Sequence, residues 1–143
     1  MSKSNTFETE LLALIFNGTA IANLAQNNAT SPLTSLFIAL HTADPGEDGT
    51  QATSEVSYTG YARVAVARTA GGWTVSAGSV SPTANIEFGE MTAGTAGTAV
   101  FASIGVAASG ASKILYRGAL SPSIAYAVGV IPRIKTSSTI TED

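Results

Sequence analysis

Beyond Arg68 the apolar runs are short and separated by turns, and several alternate at period two; this rhythm constrains the fold more than any other feature. Trp73-Thr74-Val75-Ser76 alternates apolar with hydroxyl side chains, Gly78 interrupts, Ser79 to Pro82 resumes, and Asn85 to Phe88 alternates again. Thr98 to Val106 predicts a buried strand, with Val100, Ala102 and Ile104 on one side and Phe101 opposite. Lys113 to Leu120 predicts another, closed by a turn at Ser121-Pro122-Ser123. Tyr126 to Val130 and Ile131 to Thr136 follow, with Pro132 marking an edge position or a bulge, and Ser137 to Asp143 is a short strand or a frayed tail. Short strands in this number, with no crossover helices between them, predict a mainly β fold. The expected architecture is a β-sandwich of jelly-roll-like topology, formed as a single domain over residues 1–143.

Helical character is confined to the N-terminus. Phe7, Leu11, Leu14 and Ile15 recur at i, i+4, i+7 and i+8, an amphipathic stripe. Asn5 is placed to cap it, Glu8 falls where a capping box has its acid, and Asn17-Gly18 supplies a left-handed stop. A second short helical segment over Thr19 to Gln26 extends the predicted helical region to residues 5–26. A stripe of large apolar side chains does not remain solvated, so this helix is expected against a sheet face or a partner.

The stretch from Ser35 to Arg68 joins the two regimes. Leu36 to Leu40 is a compact strand-forming run, and Tyr61 to Arg68 is a second, with Val64 and Val66 on one face. Between them lie about twenty polar, glycine-containing residues, Thr42 to Gly60, longer than an ordinary hairpin loop. Two strands anchoring a long excursion predict a binding surface there.

Charged residues make up 12% of the chain, about half the usual share, and Ala, Thr, Ser and Gly fill the difference. Small uncharged side chains suit broad contact with other subunits. The seven Lys and Arg, at 3, 63, 68, 113, 117, 133 and 135, form no cluster, and the net charge is −3. Direct nucleic-acid binding is therefore not expected. Without cysteine there is no disulfide framework or thiolate chemistry. No apolar run has the length of a membrane span or the pattern of a signal peptide, so the chain is expected to be made in the cytoplasm, with no membrane partner.

Catalytic constellations are sparse. His41, the single histidine, follows a strand and has Asp44 three residues on, so a nearby hydroxyl would complete a triad; the ordinary reading is a strand-end histidine satisfied by backbone. Ser103 lies in Phe101-Ala102-Ser103-Ile104-Gly105, which lacks the first glycine of a nucleophile elbow. Asp44, Glu47 and Asp48 crowd the turn DPGEDG without the alternate spacing of a calcium loop. Glu87 and Glu90 flank Phe88 with no sugar-binding aromatic cluster beside them. No catalytic, cofactor or metal site is predicted, and the chain is not expected to be an enzyme. Trp73 is expected in a core or an interface. Tyr58 and Tyr61, at the exit of the long loop, and Arg63 and Arg68, which bracket a strand, are candidates for contact with a neighbouring subunit.

The segments LFIALHTADPGEDGTQATSEVSYTGYARVAV, GGWTVSAGSVSP, FASIGVAASGASKILYRGAL and the terminal TITED resemble a family of small structural proteins of tailed bacteriophages, over nearly the whole chain. Members are often labelled tail-fibre proteins, and chains of this kind also resemble capsid cement (decoration) proteins, which are β-sandwich or jelly-roll subunits. A fibre shaft would more typically carry long repeats or a coiled coil, and neither is visible. The resemblance therefore implies a capsid cement subunit on the virion surface, with the major capsid protein and copies of itself, as dimer or trimer, for partners. A tail-fibre or tail accessory protein that contacts a host receptor is the alternative, and it requires exposed aromatics near Tyr58, Tyr61 and Trp73. On the cement reading the contact surface comprises Phe7, Leu11 and Leu14 of the helix, Asp44, Glu47, Tyr58 and Tyr61 of the loop, and Arg63 and Arg68.

Overall fold

The computed structural model of the chain describes residues 4–21, 24–25 and 32–141. Among the described residues there are one helix, α1 (Asn5–Asn17), and nine strands: β1 (Ser35–His41), β2 (Val64–Ala67), β3 (Trp73–Ser76), β4 (Ser79–Pro82), β5 (Ile86–Glu87), β6 (Gly97–Gly105), β7 (Ile114–Tyr126), β8 (Arg133–Ile134) and β9 (Ile140–Thr141). They form a four-stranded sheet in the order β2-β1-β6-β7, a three-stranded sheet β3-β4-β9 and the pair β5-β8. The fold is mainly β with one N-terminal helix, as the short alternating runs predict. Its contacts group into two compact units, one of residues 1–35, 66–86 and 134–143, the other of residues 36–65 and 87–133.

In the first unit α1 packs on β3 and β4. Ser4 rather than Asn5 caps the helix: it has extended backbone angles, and its hydroxyl accepts from the Phe7 amide at 3.4 Å. Gly18 ends the helix in the left-handed region at φ 66°, the stop that Asn17-Gly18 announces. The helical expectation for residues 5–26 is corrected beyond this point. Thr19 and Ala20 are non-helical, and Ile21 and Ala25 close a tight turn through reciprocal backbone hydrogen bonds; the rest of that segment, 22–23 and 26, lies outside the described residues. A left-handed cap redirects the chain, so the apolar spacing of Ile21, Leu24 and Ala25 does not propagate as helix.

Leu12 and Phe16 are the fully buried side chains of α1, whereas Phe7, Leu11, Leu14 and Ile15 of the predicted stripe are half-buried. The helix is apolar over an arc wide enough to offer two seams, and the sheet takes the one carrying Phe16. That ring meets Trp73 edge to face at 4.8 Å, a geometry that adds about 0.5–1.5 kcal/mol to simple burial. Arg68 finishes the helix. Its Nε donates to the Ile15 carbonyl and its Nη2 to Leu14, while Nη1 reaches Leu33, each at 2.7–2.8 Å. Leu14 and Ile15 belong to the last turn, whose carbonyls have no partners within the helix and whose dipole attracts a cation.

The second unit is built on β1 and β6. They pair antiparallel from Phe37↔Gly105 to His41↔Phe101, and β6 pairs onward with β7 from Gly97↔Tyr126 to Gly105↔Ile114, with register shifts between Ala99 and Phe101 and between Ile104 and Gly105. The predicted turn at Ser121-Pro122-Ser123 is corrected: β7 runs through it as one thirteen-residue strand. Pro122 is tolerated because β7 is the edge of its sheet and residues 121–123 fall at the irregularity, where no ladder bond to β6 is required.

Candidate functional site

The residues singled out on and around the 42–60 excursion converge on one side of the β1-β6-β7 sheet. Side chains directly opposite one another share a face, so Ala39, Ser103 and Arg117 lie on one side, and His41 joins them two residues along β1. The excursion folds back over this face. Its far limb pairs with the end of β1, with the Thr42 amide donating to Ser54 and the Val56 amide to Leu40, and Gln51 bonds through its amide to the Ser112 carbonyl at 2.9 Å. The exit of the loop is fastened by reciprocal bonds, the Thr59 amide to Ala93 and the Thr92 amide to Thr59, and by the Tyr58 hydroxyl to the Gly89 carbonyl at 2.7 Å. The excursion, the expected binding surface, is thus fastened to the sheet and to its neighbouring turns. Polar side chains here satisfy each other and the backbone.

At the centre stands Arg63, with its side chain only 1% exposed. Nε and Nη2 grip the Glu55 carboxylate in a fork at 2.7 and 2.8 Å. Nη2 also donates to Gly110 O at 2.7 Å, and Nη1 to Ala107 O and Ser112 Oγ, each at 3.0 Å. All five guanidinium donors are used. The hydrogen bonds that Arg63 donates to Glu55 hold its pKa above the ordinary value against the opposing effect of burial. Tyr61 adds to the group, its hydroxyl accepting from the Leu40 amide at 3.0 Å and donating to Glu55 at 3.2 Å; burial pushes its pKa well up.

Next to the arginine lies a fully enclosed polar trio, with His41 and Gln51 at 0% exposure and Ser103 at 1%. His41 Nδ1 faces the Thr53 carbonyl at 2.8 Å and must carry the proton, because a carbonyl only accepts. Nε2 is therefore bare and accepts from the Ser103 hydroxyl at 2.7 Å. Burial lowers the His41 pKa and keeps the ring neutral, outweighing the backbone hydrogen bond and the Glu55 charge. Gln51 Nε2 donates to Phe37 O at 2.9 Å and to Ser103 Oγ at 3.3 Å, while its Oε1 accepts from Ser112 Oγ at 2.8 Å and from Arg63 Nη1 at 3.4 Å. Acceptor on one side and donors on the other fix the carboxamide orientation. A Cβ at Gly105 would collide with the Gln51 amide, so glycine is required beneath it.

His41 and Ser103 have the hydrogen bond of a nucleophile–base pair, but both are sealed from solvent, and Asp44 does not orient the ring. Asp44 instead makes a two-oxygen contact with Arg117 Nη1 at 2.7 and 2.8 Å on the surface, with Glu47 3.7 Å from Nη2 of the same arginine. Among the described residues no group of three or more His, Asp or Glu is placed to hold a metal ion. Glu87 pairs with Arg133 at 3.5 Å.

The remaining contact candidates divide by burial. Tyr58 is buried against Tyr61 and Tyr126 with ring centroids 5.4 and 5.5 Å away, and Tyr61 stacks on Phe88 at 5.9 Å. Trp73 is buried under α1. Arg63 and Arg68 are engaged inside their own units. Of the predicted surface, Asp44 and Glu47 are exposed and Phe7, Leu11 and Leu14 partly so. Among the described residues the exposed large apolar side chains are Leu24 and Leu33 in the first unit and Val128, Val130 and Ile131 in the second. Sequence reasoning missed Gln51, Glu55 and Ser112. The available signal was Arg63 itself, a cation beside an apolar strand run in a chain with few charges, which calls for an internal carboxylate.

Compared with known proteins, residues 2–141 match the model of one family, Gp80, described as podophage GP4 fiber I protein gp80. No curated protein matches significantly.

Proposed function

We propose a function for this chain from one premise: it belongs to the podophage GP4 fiber I protein gp80 family, which makes it a bacteriophage structural protein. The chain serves as a fibre-type subunit of the virion. The match over residues 2–141 carries this reading, because it takes in both compact units and not a fragment of either. The capsid cement role inferred from the absence of shaft repeats has no counterpart in the family description, which names a fibre. A short subunit without repeats fits a fibre as a globular component rather than as its shaft.

Three physical features support a passive, assembled role. Charge is scarce, the long loop is fastened down, and the His41–Ser103 pair is closed to external substrates. A receptor platform built from Tyr58, Tyr61 and Trp73 is not favoured, since Tyr58 and Trp73 are buried and Tyr61 stacks inside the unit. The test is electron microscopy of virions labelled with antibody against this chain. Label along fibres or at the tail supports the assignment. Label distributed over the capsid between capsomers overturns it in favour of a cement subunit.

A further inference from the structure

The edge of a sheet presents backbone donors and acceptors that another chain can pair with, and folded proteins usually keep such edges short, charged or interrupted. Among the described residues the edge strands β2 and β3 have four residues each, and β5, β8 and β9 have two. β7 has thirteen, with no strand beyond it. Pro122 and the larger irregularity lie between Ala119 and Ile124, so residues 116–119 keep unbroken register with β6. The charge on this stretch, Arg117, is already paired with Asp44. Gly118 stands in its middle. Its φ lies outside the left-handed region and an added Cβ would meet nothing within 4 Å, so neither a turn nor packing inside the chain calls for glycine. A strand glycine of this kind costs stability and marks a place where another backbone comes close.

We propose that a second copy of the chain occupies this edge, its β7 running antiparallel to the first about a two-fold axis at Gly118. The sequence of the strand is compatible with its own reverse in that register. Gly118 meets itself, Tyr116 lies opposite Leu120 and Arg117 opposite Ala119, so large side chains stand beside small ones and each Tyr116 is diagonal to the partner's Gly118. An axis one residue earlier sets two guanidiniums directly opposite, and an axis one residue later draws Pro122 into the ladder opposite Tyr116. The face concerned is apolar and incompletely covered. Leu40, Ala102 and Gly118 are opposite one another across β1, β6 and β7, and they pass from fully buried through half-buried to exposed. Extending the sheet past β7 covers that open end. The surface is the same whether the subunit stands in a fibre or on the capsid, so it does not depend on the proposed location.

The experiment is size exclusion with light scattering on the full-length chain at high micromolar concentration, with Gly118→Glu and Gly118→Lys beside it. The wild type is expected at twice the 14.4 kDa of one chain. Each variant alone is expected at the single mass, because like charges meet at the axis, and an equal mixture of the two is expected to recover the doubled mass. The open space at Gly118 admits either side chain in the single chain, so both variants should melt like the wild type by circular dichroism. Hydrogen exchange of the wild type needs no variant, and amides of residues 116–120 should gain protection as concentration rises. A wild type at one or three times the chain mass overturns the proposal, as does exchange in residues 116–120 that ignores concentration. A dimer that survives both substitutions, or a mixture of folded variants that stays at the single mass, overturns it as well.

Discussion

Replacing Arg63 by alanine tests the clamp directly. The substitution removes five buried donors at once and leaves Glu55, Gln51 Oε1, Ser112 Oγ and the carbonyls of Ala107 and Gly110 to find other partners. Breaking a buried ion pair from one side costs about 3–5 kcal/mol. Glu55 retains 19% exposure and recovers some hydration, which favours the lower end, about 3 kcal/mol. For a chain of this length that is a fall in Tm of about 10 °C. Urea denaturation followed by circular dichroism measures the free energy, and hydrogen exchange locates the loss. The amides of Gln51, Val56 and Thr59 are expected to lose protection first, because their bonds fasten the 42–60 loop. An Arg63→Ala chain within about 1 kcal/mol of wild type would refute the view that this guanidinium holds the loop.

Other expectations follow from the same structure. Burial lowers the His41 pKa below 6.5, so the unfolded chain binds the proton more readily; the associated stability is complete above pH 6.5 and is lost as pH falls from there towards the lowered value. Denaturation midpoints between pH 7.5 and 5.5 should decline in wild type and decline less in His41→Gln. Arg68→Ala frees the carbonyls of Leu14, Ile15 and Leu33 and is expected to cost about 1–2 kcal/mol, read as faster exchange in the last turn of α1. Gly105→Ala drives a methyl into Gln51 and should cost about 1–3 kcal/mol by thermal melt. Asp44→Asn breaks only a surface pair and should change stability by less than about 1 kcal/mol, an effect that disappears in high salt.

The strands were legible because their signal is local. Trp73 to Ser76, Ser79 to Pro82 and the run through Ile104 each carry their period in a few residues, and each forms where the alternation places it. The errors came where a distant partner decides. Ser121-Pro122-Ser123 has turn chemistry, but pairing with β6 on either side carries the strand across it. The stripe of Phe7, Leu11, Leu14 and Ile15 is expected against a sheet face or a partner. The side chains that α1 buries fully are Leu12 and Phe16, the latter against Trp73, and which seam is buried depends on a residue far along the chain. The polar centre was least legible of all. Ser103 lies 62 residues from His41 and 52 from Gln51, and Arg63 reaches Gly110 across 47, so no short window of sequence contains any of these pairs.

Arg63 and Arg68 stand just outside the two ends of β2, and each is aimed at irregular backbone of its own unit. Arg63 takes the carbonyls of Ala107 and Gly110 from the turn after β6, and Arg68 takes those of Leu14, Ile15 and Leu33. Helix ends and turns leave acceptors that no ladder satisfies, and a chain this poor in charge has few long donors to offer them. A planar guanidinium can bond several at once where an ammonium cannot match the fork. The two arginines therefore work through donor number and geometry more than through charge. Arg63→Lys and Arg68→Lys separate the two contributions, because each keeps the charge and loses the fork. Both are expected to lose more than half of the stability lost by the alanine variants, and full retention in either lysine variant would return that site to simple electrostatics.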